Sequence, residues 1–129
     1  MGVKILLKAM FVVWALAVAV LSVISHPGSK DLLMSVKLTS SGFVVHGVAY
    51  FVGILLCYWS FDKKNISFVL WAGLLIFLFS VVLEVVQFYL PYRIFNWYDV
   101  VGNCLGVALF VVIMLKQTLK RGKIKKLEY

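Results

Sequence analysis

Along this 129-residue chain the apolar residues come in long unbroken runs, without the alternation of a half-buried strand or the spacing of a surface helix. A hydrocarbon core about 30 Å thick takes roughly 20 residues of helix, and about 17–25 are tolerated. Four runs have that length, at about 9–25, 43–61, 66–90 and 99–115. His26-Pro27-Gly28 closes the first and the charged turn Asp62-Lys63-Lys64-Asn65 the second, while Pro91 ends the third and Lys116 the fourth. The pattern predicts an all-α fold, an integral membrane protein built as a four-transmembrane-helix bundle. It forms one domain over 1–129, with a basic tail at 116–129. Lys4 and Lys8 ahead of the first run would also suit a secretory signal peptide. The run is longer than a signal's apolar core and no clear Ala-x-Ala follows it, so a retained span is expected.

Composition agrees with the pattern. Hydrophobic residues make up 64% of the chain and the mean hydropathy is +1.03, beyond the roughly 45–50% apolar content of soluble domains. The net charge of +8 does not point to nucleic acid, because the basic residues gather beside apolar runs and at the C-terminus. Membrane lipids with anionic headgroups are the expected partner. With a cytoplasmic N-terminus, ten of the 13 basic residues fall on the inner side and only Lys30, Lys37 and Arg93 on the outer. The positive-inside rule therefore puts both termini in the cytoplasm of a multi-pass cell-membrane protein.

Against this background the stretch from Glu84 to Gly106, EVVQFYLPYRIFNWYDVVGNCLG, is unusually polar. Residues three or four apart share a helix face, which groups His46, Tyr50 and Gly53 on the second helix. The same spacing groups Glu84, Gln87 and Phe88 on the third and Asp99, Asn103 and Gly106 on the fourth. By helical rise His46 and Asn103 lie about 5–6 Å and Glu84 about 9 Å below the outer surface. An ionisable side chain facing lipid costs from about 2.5 kcal/mol upwards, so these residues are expected to turn inward and pair. The prediction is an outward-facing polar pocket lined by His46, Tyr50, Glu84, Gln87, Asp99 and Asn103, with Arg93 folded back as counter-ion. Gly102 and Gly106 make a Gly-x-x-x-Gly contact for helix packing. Phe95, Trp97 and Tyr98 read as an interfacial belt.

No phosphate-binding loop, zinc-protease motif or nucleophile elbow occurs, so no nucleotide cofactor is implied. Cys57 and Cys104 fall in opposite halves of the bilayer and belong to no metal-binding pattern, so each reads as an apolar filler. No metal or other cofactor is expected. If catalysis occurs, the candidates are Glu84, His46 and Asp99.

These residues also resemble the VanZ-like membrane proteins. His46 and Tyr50 match that family's His followed four residues later by Tyr. Glu84, Gln87, Arg93, Asp99, Asn103 and Gly106 match its Glu-x-x-Gln, Arg, Asp, Asn, Gly series. Gly42 and Phe43 stand where members commonly carry Asp-Lys, and Phe110 where a Gly is usual, which implies altered helix packing there. The resemblance implies a role in teicoplanin-type resistance or envelope homeostasis.

Three functions follow from sequence and resemblance together. The pocket binds an envelope lipid, a lipid-linked cell-wall precursor or a lipoglycopeptide antibiotic. Alternatively, a Glu/His acid-base pair modifies a lipid-linked phosphate or glycan inside the membrane. A small transporter or flippase-like element is third, since polar residues occupy one leaflet only and a through-path would need an oligomer, which is left open.

Overall fold

The computed structural model describes residues 2–24, 39–62, 65–91 and 95–127, with backbone alone for 39–41, 119 and 121–127. All secondary structure among them is helical: α1 (Gly2–Val23), α2 (Thr39–Ser60), α3 (Ile66–Phe88) and α4 (Trp97–Leu127). Each contains a stretch long and apolar enough to cross a membrane. The predicted all-α membrane fold with four spanning helices therefore stands. Neither the His26-Pro27-Gly28 stop nor Lys30, Lys37, Lys63, Lys64 and Arg93 lie within the described residues.

Three helices are longer than their apolar runs, α2 by starting at Thr39 ahead of residue 43. α1 starts at Gly2 instead of near residue 9, and α4 runs to Leu127 instead of ending at Lys116. Hydropathy marks where a helix would leave lipid, whereas backbone hydrogen bonds continue for as long as no breaker intervenes. At 1.5 Å per residue the 31 residues of α4 extend about 46 Å, some 16 Å beyond a hydrocarbon core of about 30 Å. The basic tail is therefore helical through Leu127.

The ends of α3 follow local chemistry. Asn65 caps the start, its side-chain oxygen accepting from the Phe68 backbone N–H at 2.9 Å. The expected stop at Pro91 is anticipated by two residues. Tyr89 is the C-cap, and the N–H of Leu90 turns back to the Gln87 carbonyl at 3.0 Å.

α2 and α4 lie side by side and parallel, since Gly42 meets Asp99 at one level, Phe43 meets Gly102, and Gly47 meets Gly106 further along. α3 runs the opposite way against this pair, and α1 packs on α2 and α3. The core at their junction consists of Tyr50, Ile54, Cys57, Val69, Ala72, Ile76, Val107 and Phe110. Phe110, whose substitution for Gly implied altered packing, is 2% exposed and meets the rings of Phe51 and Tyr58 edge-on at 5.8 and 5.5 Å. An aromatic contact spaces the helices at the level where a glycine would have let them touch.

α1 is keyed into α2 by one residue. The Trp14 indole occupies the notch left by Gly53, where a Cβ would collide with the ring, and its N–H donates to the Ala49 carbonyl at 2.9 Å. Phe11 stacks on the indole, and Tyr50 meets it edge-on. At the far end, Lys4 pairs with Asp62 and Lys8 lies over the Phe61 ring. The start of α1 and the end of α2 are thus at one end of the bundle, opposite Asp99. Large apolar side chains such as Leu6, Trp71 and Leu75 point outward at 60–63% exposure, a surface that in water would drive association and that lipid covers.

Candidate functional site

Glycines create the close approach on which the site depends. Beside His46 stands Gly47, whose Cβ would lie 3.4 Å from the Gly102 carbonyl oxygen. Beside Asn103 stands Gly102, whose Cβ would fall 2.6 Å from the Phe43 carbonyl oxygen and 3.3 Å from His46 Cβ. Gly106 presses directly on the Gly47 backbone. Gly102 and Gly106 thus lie against the α2 backbone, with Gly47 opposite them on that helix. Without side chains at these three positions the α2 and α4 backbones come near enough for His46 and Asn103 to touch.

His46 Nδ1 and Asn103 Oδ1 are 2.9 Å apart. From its other end Asn103 donates Nδ2–H to Glu84 Oε1 at 3.4 Å, and that same oxygen lies 3.9 Å from His46 Nδ1. Three helices therefore contribute one member each to a single polar network. Glu84 is 3% exposed and Asn103 1%, whereas the His46 side chain remains 30% accessible. The network is closed at the carboxylate and open at the imidazole. Among the described residues Glu84 is the one buried charged side chain.

The remaining expected site residues divide. Tyr50, one turn along α2 from His46, is buried and within electrostatic reach of Glu84. Gln87 is buried one turn beyond Glu84. Phe88, placed on the same stripe by spacing, instead points outward at 64% exposure and packs on Tyr89 and Phe95. Four residues from Glu84 along α3, it has turned too far round the axis to follow Gln87 inward. Asp99 stands at the start of α4 against Gly42 and accepts from Asn96 Nδ2 at 3.3 Å. A carboxylate in a first helical turn is favoured by the helix dipole, and no contact joins Asp99 to Glu84 in the described network. Arg93 lies outside the described residues.

Two contributors escaped the sequence reading. Asn96 caps α4, its side-chain oxygen accepting from the Tyr98 N–H at 3.1 Å; an Asn just before a helix was the available signal. Trp14 supports Tyr50 from α1 but carries no signal within an apolar run. No three His, Cys, Asp or Glu side chains among the described residues are placed to hold a metal ion. Cys57 and Cys104 are free thiols, one buried and one exposed. A shallow groove of about 260 Å³ lined by Ser67, Leu70, Trp71 and Leu74 lies on the outward face of α3. Its Ser67 is roughly 25 Å along the helix from Glu84.

Fold and site together define a class: a small multi-pass helical membrane protein with a His-Asn-Glu network between three of its helices. A match of residues 11–120 to the VanZ/LLP1 family model then places it. The chain belongs to the VanZ/LLP1 family, whose association is with antibiotic resistance. No curated protein and no solved structure matches the chain.

Proposed function

We propose that the network of His46, Asn103 and Glu84 is the floor of a binding site for the polar head of an envelope amphiphile. That molecule is a membrane lipid, a lipid-linked cell-wall precursor or a lipoglycopeptide antibiotic, reached from the outer leaflet. Tyr50 and Gln87 shape the wall and Asp99 belongs to the rim, while Arg93 is assigned the role of counter-ion from the sequence alone. By holding this ligand the protein lowers sensitivity to teicoplanin-type antibiotics. It resides in the cell membrane with both termini in the cytoplasm, as the Lys and Arg distribution favours.

One observation carries the reading: a carboxylate 3% exposed and joined through Asn103 to an imidazole that is itself still accessible, inside a largely apolar bundle. Keeping an ionisable group at that depth costs several kcal/mol, and apolar packing would have joined the same helices without it. The test is teicoplanin susceptibility of cells carrying His46→Ala or Glu84→Ala, with the membrane level of each variant measured alongside. Loss of protection at normal abundance supports a site. Protection that persists, or that falls only with abundance, makes the network structural.

The proximity of His46 Nδ1 to Glu84 Oε1 at 3.9 Å favours one second reading, an intramembrane enzyme acting on a lipid-linked phosphate or glycan through this acid-base pair. Purified protein that converts such a lipid, and a Glu84→Gln variant that binds without converting it, would select that reading over simple binding.

A further inference from the structure

The register of α2 against α4 sets what meets at the end of the bundle opposite His46. Residue 43 of α2 faces residue 102 of α4, and residue 47 faces 106. Carried on at the same rise, that register brings Phe61 level with Lys120. Lys8 from α1 lies over the Phe61 ring at 5.7 Å, and Lys4 pairs with Asp62 one residue further. Two helices therefore bring Lys4, Lys8 and Lys120, all exposed, to one level around the end of a third. The same level is the edge of the apolar core, since the spanning stretch of α2 ends at Ser60 and that of α4 at Thr118.

The charge of this end follows from the full inventory of the chain. Of five acidic residues, Glu84 and Asp99 stand at the His46 end, Asp31 belongs to the segment joining the other ends of α1 and α2, and Asp62 is occupied by Lys4. Glu128 alone remains, against the six basic residues of 116–126.

Past Thr118, α4 continues as a helix to Leu127, a projection of about 14 Å. Its cations fall at 120, 121, 123, 125 and 126. At about 100° per residue they occupy every side of the helix, so no apolar face is left to lie flat in the interface. Like charges at 121 and 125, or at 120 and 123, disfavour such a helix in water, and Gly122 weakens it further. An anionic surround removes that cost.

Reach decides which anion. The headgroup layer adds about 5–7 Å beyond the hydrocarbon on each side, and charges act across about 8 Å at physiological salt. Together these cover the whole projection, whereas a soluble acidic partner would meet its last turn alone.

We propose that the end of the bundle opposite His46 is a docking surface for anionic phospholipid. Lys8 and Lys120 hold headgroups at the edge of the core, and the projecting end of α4 stands upright among them, helical because they neutralise it. The positive-inside rule accounts for the side these residues reach during insertion. Lasting lipid selectivity in the folded protein is a separate property.

The test uses the full chain in nanodiscs of phosphatidylcholine, with or without phosphatidylglycerol. Hydrogen exchange of the amides of 119–127, read by mass spectrometry, is expected to be about fivefold slower with phosphatidylglycerol, and the protection to fade in high salt. Equal exchange in the two bilayers overturns the proposal. So does protection that phosphatidylglycerol cannot supply but soluble polyglutamate or RNA can, which assigns the tail a soluble partner. Selectivity at the edge is read by electron paramagnetic resonance of spin-labelled lipids, whose motionally restricted fraction is expected to favour phosphatidylglycerol over phosphatidylcholine about fivefold. Lys8→Gln with Lys120→Gln is expected to bring the two lipids close to parity, and Lys8→Arg with Lys120→Arg to keep the preference. A preference unchanged by the glutamine pair, or lost in the arginine pair, overturns the assignment of these residues.

Discussion

Gly106→Ala adds a single methyl group at the contact between α2 and α4. The new Cβ would lie 2.9 Å from the Gly47 carbonyl carbon and 3.1 Å from its Cα, with the carbonyl oxygen nearer still. Carbon–carbon contacts settle at about 3.5–4.0 Å, so the backbones must part by about 0.5–1 Å. Nothing flexible can yield, because every atom met is backbone. The separation also reaches the adjacent pair of His46 and Asn103, now 2.9 Å apart. A gap stretched to about 3.6 Å is no longer a hydrogen bond. Overpacking costs about 1–3 kcal/mol, and losing one interhelical hydrogen bond adds about 0.6–2. The expected destabilisation is about 1.6–5 kcal/mol. Equilibrium unfolding in mixed micelles, titrated with sodium dodecyl sulfate, measures it against Gly2→Ala, whose Cβ meets open space. Equal midpoints for the two variants would refute the claim that direct backbone contact at Gly106 holds this pair of helices.

Other consequences are more local. Trp14→Ala empties the notch at Gly53 and removes the hydrogen bond to Ala49, so it should cost about 3–5 kcal/mol in the same unfolding assay. Trp14→Phe, which keeps most of the ring, should cost clearly less; equal losses would mean the notch is not filled as described. Asn65→Ala removes the cap that accepts from Phe68 and is expected to lose about 0.5–2 kcal/mol, most of it recovered by Asn65→Ser. A double-mutant cycle on Lys4→Gln and Asp62→Asn should give a coupling below about 1 kcal/mol, because the pair is exposed to solvent. A larger coupling would show that the pair does more than join the ends of two helices.

Much of the site was legible before any coordinates. His46, Glu84 and Asn103 stood out because polar side chains are rare in such runs and costly in lipid, and their depths agreed on one leaflet. Their connectivity was not legible. Spacing placed Asp99 with Asn103 and Phe88 with Gln87 on shared stripes, yet Asp99 sits at a helix end beside Gly42 and Phe88 faces outward. A difference of three or four residues leaves the angle about the helix axis loose by a few tens of degrees, enough to separate a lining residue from an outward one.

The sequence by itself determined the solvent: four runs of sufficient length settle that the chain crosses a membrane, because transfer into lipid is a sum over residues that needs no partner. Tertiary structure alone decided which faces meet. In lipid a buried Leu and an outward Leu are equally apolar, so no amphipathic stripe marks the inner face, and small residues with matched shapes must do so. Gly47 against Gly106, Trp14 in the notch of Gly53, and the line from His46 through Asn103 to Glu84 are such matches. Each depends on two or three segments at once, which no local reading of the chain contains.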